Sequence, residues 1–116
     1  MENKNAHTIA EWIRDDCNRE ILENIAKNAG YKNPRKMSLI KLEAITFVDK
    51  MCGDIIREHY RIFDDVTGEI LVNRCGKKYM IDWILKNCLF NWYDEQERPV
   101  RRDSFHHEIR VDALRR

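Results

Sequence analysis

Apolar positions recur along this chain at two periods, and the switches between them divide it into segments. Thr8, Ile9, Ala10 and Glu11 have the form of a capping box, in which hydroxyl and carboxylate satisfy the free N–H groups at a helix start. Gly30 supplies the matching stop. Projected at about 100° per residue, Ile9, Ile13 and Cys17 fall on one face, and Ile21, Ile25 and Ala29 fall nearly opposite. A straight helix with that pattern needs two partners. A break near residues 17–19 lets both halves face one core, and the break is the expectation.

Ser38 is a good N-cap for a second helix reaching to about residue 60. Ile40, Ala44, Phe47, Val48, Met51, Cys52, Ile55, Ile56 and His59 share a broad apolar face there. Glu43, Thr46, Asp49, Lys50, Asp54 and Arg57 make the wet face, so this helix is expected to form the spine of the core. Residues 60–73 hold two β-prone runs around Asp65-Val66-Thr67-Gly68, the pattern of a β-hairpin with Gly68 at positive φ. A third helix is expected over residues 78–93. Its inner positions are Ile81, Ile84, Leu85, Cys88, Leu89 and Trp92, and Tyr79, Trp83 and Phe90 follow helical spacing on the opposite side, with Lys86 among them. A helix apolar on both sides is either central or part of an interface.

The charged segment 94–116 reads as a short helix capped by Ser104 that buries Phe105 and Ile109. The alternative is a strand in which Ile109 and Val111 alternate with Glu108, Arg110 and Asp112. The expected fold class is mainly α within α+β: three to four helices with one β-hairpin packed on one side, in a single domain spanning residues 1–116.

Length supports that reading. A chain of 116 residues buries roughly two-thirds of its unfolded surface and needs neither disulfide nor metal to fold. With 43% apolar residues it is too hydrophobic for intrinsic disorder. No stretch approaches the roughly 18 uninterrupted apolar residues of a membrane span, and the polar residues 1–5 do not begin a secretory signal. Cys17, Cys52, Cys75 and Cys88 are far apart, so reduced thiols and a cytoplasmic location are expected, with no membrane partner.

Net charge is only +1, but its distribution is patchy. Residues 30–41 carry Lys32, Arg35, Lys36 and Lys41 and no acid, and residues 98–116 carry six basic and three acidic side chains. The first 29 residues carry six acidic and four basic ones.

Candidate chemistry is sparse. No phosphate-binding glycine loop, GxSxG or HExxH is present, and the carboxylate pairs Asp15-Asp16 and Asp64-Asp65 and the four thiols are read as structural or solvated, so no enzyme activity is expected. No cofactor is expected either; the one candidate metal set, for a structural zinc, is Cys75, Cys88, His106 and His107. Nucleic acid is the alternative partner: Lys32, Arg35 and Lys36 form a basic loop, Lys77 and Lys78 lie beside Tyr79, and Arg98, Arg101, Arg102, Arg110, Arg115 and Arg116 make a basic tail suited to a small nucleic-acid-binding or regulatory protein. A protein partner is favoured. Tyr79, Trp83, Lys86 and Phe90 would anchor it, and the acidic stripe Asp16, Glu20 and Glu23, or the Arg98, Arg101, Arg102 cluster, would supply charge complementarity.

In style the chain is similar to the short accessory proteins encoded by phages and prophages, anti-CRISPR inhibitors among them. The shared traits are length, a helical body with one hairpin, no catalytic motif, many Asn and Lys, and a charged tail; no motif carries the likeness. The resemblance implies a non-enzymatic, stoichiometric inhibitor of a host nuclease such as a CRISPR effector. The balanced charge departs from the acidic composition of DNA-mimicking members, so a specific contact is expected instead.

Overall fold

The computed structural model describes residues 8–52, 59–93 and 98–114. Among these residues four α-helices and two small antiparallel sheets make an α+β fold. Helix α1 (Ile9–Asp16) opens on the capping box, with Thr8 Oγ1 accepting from the Glu11 N–H and the Glu11 carboxylate accepting from the Thr8 N–H. The helical region breaks where the sequence suggested. Cys17 is extended, and the Asn18 side chain caps α2 (Arg19–Asn28) by accepting from the Ile21 N–H. Each half then turns one stripe inward, Ala10 and Ile13 from α1, Leu22 and Ala26 from α2. Gly30 ends α2 at φ 110°, a conformation that L side chains rarely adopt, and a Cβ there would meet the Lys78 Cβ at 3.2 Å, so the backbone favours glycine and the neighbour leaves little room.

Helix α3 (Leu39–Met51) starts at the Ser38 cap but is rotated from the face expected of it. Its buried positions are Leu42, Ile45, Thr46, Phe47 and Val48, whereas Ile40 is 67% exposed. Thr46, expected on the wet side, is enclosed and donates its hydroxyl to the Leu42 carbonyl. The physical reason is company: α1, α2 and α4 all pack against this helix, so no single stripe carries the burial. The helix stops at Met51 and His59 belongs to a strand; Asp54, Ile55, Ile56 and Arg57 lie outside the described residues.

The hairpin is present as β1 (His59–Asp64) and β2 (Ile70–Cys75), with Gly68 at φ 78° in the turn. Two register irregularities interrupt the pairing between Tyr60 and Phe63. Helix α4 (Lys77–Asn87) packs on β1 through the face that holds Met80, Ile81 and Ile84. It ends six residues earlier than expected. The Asn87 side chain turns back to the Trp83 carbonyl, and Cys88 takes an extended conformation. Cys88–Leu89 then forms β3, paired with β4 (Val100–Arg101).

The tail resolves to the strand alternative. Strand β5 (Ile109–Leu114) pairs antiparallel with β1 over six residues, giving the sheet order β2-β1-β5. Phe105, assigned above to a buried helical face, is instead 69% exposed in a turn. On β1 the alternation is strict: Tyr60, Ile62 and Asp64 point inward, and His59, Arg61 and Phe63 line the half-exposed outer face. One contiguous core joins Tyr60 and Ile62 to the buried apolar residues of the four helices described.

Candidate functional site

Three places gather polar or aromatic side chains: the outer side of α4, the hairpin end around Asp64, and the loop between α2 and α3. On α4, Tyr79, Trp83 and Lys86 are spaced four and three residues apart and therefore share a face. Tyr79 is 58% exposed, Trp83 half-buried against the core, and Lys86 exposed. Arg102 closes the C-terminal end of this strip. Its Nε donates to the Lys86 carbonyl at 3.0 Å, and its backbone N–H donates to the Asn87 carbonyl at 3.1 Å. A guanidinium at this end also complements the helix dipole. Phe90, assigned above to the same strip, is not part of it: the helix has ended, and its ring stacks on Phe47 at 6.0 Å.

The arginine cluster is divided in the same way. Arg101 is committed inward, to Asp64, Glu69 and Asp103. Arg98 lines a cavity of about 430 Å³ with Phe47, Met51 and Cys52. Only Arg102 joins the α4 strip. The acidic stripe is broken too. The extended Cys17 separates Asp16 from Glu20, and Glu23 pairs with Arg19 at 2.7 Å.

Asp64 is the most thoroughly held polar group at the hairpin end. It is fully enclosed, and its Oδ1 accepts from the Val66 and Thr67 N–H groups, each at 2.8 Å. Its Oδ2 accepts from Arg101 Nη1 at 2.9 Å and from His107 Nδ1 at 2.8 Å. Because a carboxylate only accepts, His107 carries a proton on Nδ1. Burial alone would raise the Asp64 pKa, but the Thr67 N–H, Arg101, His107 and the Val66 N–H outweigh it and hold the carboxyl well below its ordinary range. An aspartate supporting a histidine is half of a general-base arrangement, yet among the described residues no hydroxyl or thiol is bonded to His107. What Asp64 does is clasp the hairpin turn to the segment 101–107. Composition gave no hint of it, although the alternation with Tyr60 and Ile62 places it on the buried face.

The candidate zinc ligands are not assembled. Cys75 donates to the Tyr60 carbonyl at 3.6 Å, Cys88 is buried, His107 is taken by Asp64, and His106 is exposed at φ 48°. Among the described residues no three His, Cys, Asp or Glu side chains converge. Burial raises the pKa of all four thiols, with Asp16 adding to the effect at Cys17 and Asp49 at Cys52, and pushes Cys52 and Cys88 up to about 12. They are therefore neutral thiols at physiological pH and weak nucleophiles.

The basic loop is brought together as the sequence proposed, and enlarged. Lys32, Arg35 and Lys36 line a groove of about 580 Å³ with Lys27, which local sequence reading missed and which arrives from the last turn of α2. Lys77 and Lys78 are occupied elsewhere, Lys77 with Asp49 and Lys78 with Asp82, each at 2.8 Å.

No helix among the described residues is long and apolar enough to cross a membrane. No protein-family model matches the chain, and neither a curated protein nor a solved structure matches it.

Proposed function

We propose that this chain is a non-catalytic protein-binding module that acts by stoichiometric contact with one partner protein. The observation that carries this reading is the α4 strip, where Tyr79 projects from a firmly packed helix beside Trp83, Lys86 and Arg102. Tyr, Trp and Arg dominate interface hot spots, because rigid rings bring large area at little entropic cost. The inner side of α4, with Met80, Ile81 and Ile84 fully buried, holds the strip in place, so little ordering remains to be done on binding. Lys86 and Arg102 give the strip positive charge, and Asp82 at its edge is paired with Lys78 at 2.8 Å, which suits a partner with an acidic rim around an apolar pocket. In keeping with the likeness to phage-encoded inhibitors, the partner class to test first is a host nuclease, a CRISPR effector in particular. The net charge of +1 supports a local contact over mimicry of DNA.

The test is co-purification from a bacterial lysate with immobilised wild-type protein and a Tyr79→Ala, Lys86→Glu variant. Both positions are exposed, so the variant is expected to melt like wild type. Its affinity for the partner retained by wild type is expected to fall by about 30-fold or more, the scale of one hot spot of about 2 kcal/mol. A variant that retains the same proteins at the same affinity rules out the strip as the contact.

A further inference from the structure

We infer that the groove between α2 and the loop preceding α3 is a binding site for the phosphate groups of a single-stranded nucleic acid. This inference does not rest on the α4 contact. The groove is lined by Glu23, Asn24, Lys27, Lys32, Asn33, Pro34, Arg35 and Lys36 and holds about 580 Å³. All four cations are exposed, and among the described residues none of them forms an ion pair. Glu23, the one acid among the described lining residues, is engaged by the Arg19 guanidinium at 2.7 Å. In a molecule of net charge +1, this surplus stands out as a local field.

The groove is also built rather than accidental. Arg19 Nη2 donates to the Arg35 carbonyl at 3.1 Å and to the Met37 carbonyl at 2.6 Å, tying the loop backbone to α2. Pro34 is buried and opens a short 3-10 turn, closed by the Met37 N–H on the Pro34 carbonyl. Behind the loop, the Tyr31 hydroxyl donates to Asp82 on α4 at 2.5 Å. The cations therefore project from a backbone fixed at three points.

The lining decides between polyanions. Among the described residues its only apolar member, Pro34, is buried, so the lining offers little to the side chains of an acidic peptide. It offers repeated positive charge and the amides of Asn24 and Asn33, which suit closely spaced anionic oxygens. A concave surface also excludes a flat membrane. Among the described residues no exposed ring lines it, so recognition is of the backbone and indifferent to base sequence.

The test is fluorescence anisotropy with labelled single-stranded RNA and DNA of about 12 nucleotides, using the full chain. With four phosphates engaged, the affinity is expected to fall about 50-fold between roughly 50 mM and 200 mM salt. A Lys32→Gln, Arg35→Gln, Lys36→Gln variant, which leaves the Arg19 contacts to the loop carbonyls in place, is expected to lose at least about tenfold at the lower salt. Its salt dependence should shrink to that of about one contact. Binding of both strands supports a backbone site, and binding of only one identifies which sugar it takes. Absence of binding at the lower salt, unchanged binding by the variant, or displacement of the strand by polyglutamate at equal charge concentration would each overturn the inference, the last by assigning the groove to an acidic protein.

Discussion

Asp64→Ala is expected to lower Tm by on the order of 10–20 °C. The substitution removes one carboxylate and leaves four donors behind it: the Val66 and Thr67 N–H groups, Arg101 and His107. Arg101 keeps Asp103 at 2.7 Å and Glu69 at 3.4 Å, so its charge is not stranded, but the buried carboxylate that joins Arg101 and His107 to the turn amides is gone. Asp64→Asn is expected to do little better, since its amide NH2 would face the donors of Arg101 or His107. Hydrogen exchange should quicken at the Val66 and Thr67 amides before it does in α3 or α4. Calorimetry as a function of pH provides the second readout. A carboxyl held below its ordinary pKa stabilises the fold at and above that value, near pH 4, and the contribution is lost as pH falls further through the folded-state value. Wild type should therefore lose Tm more steeply than Asp64→Asn below about pH 4. A variant within about 3 °C of wild type would show that the clasp is dispensable.

The second large effect separates two descriptions of α3. Leu42→Ala, at a fully buried position, is expected to cost about 2–4 kcal/mol in urea unfolding, and Ile40→Ala, at a position 67% exposed, less than about 0.5 kcal/mol. The apolar periodicity of the sequence orders these two the other way round, placing Ile40 in the core and leaving Leu42 unassigned. Equal costs, or the reverse order, would return the helix to the orientation that periodicity suggests.

That reversal shows where sequence reasoning stops. Signals that act within a few residues were legible: the Thr8 capping box, the Ser38 cap, the two apolar faces that forced a break before Asn18, and the Gly68 turn. Each is fixed by its own backbone. The face of α3 was not, because Leu39, Ile40, Leu42, Ala44, Ile45, Phe47 and Val48 are apolar in nearly every direction. Which of them is covered depends on helices remote in sequence. The same holds for the tail, where alternation at Ile109 and Val111 was visible but its partner was not; Asp64 and Ile62 of β1, which they pair with, lie 45 and 49 residues away.

The candidate sites divide along the same line. Lys32, Arg35 and Lys36 are close in sequence and stay together, whereas Lys27 joins them only through the turn at Gly30. Tyr79, Trp83 and Lys86 survive as a strip because one helix carries them. Phe90 falls out because the helix ends at Asn87, and the stripe of Asp16, Glu20 and Glu23 dissolves because the helical register resets at Cys17. Extrapolating a helical face past a cap or a break misplaced both.

The most direct examination of the α4 contact is site-specific photo-crosslinking in cells, with a benzophenone side chain at position 79 and, as a control, at position 15 on α1, which is also exposed. The account predicts a covalent adduct to a single protein from position 79 and none from position 15. Adducts of equal yield from both positions, or none from position 79, would contradict it.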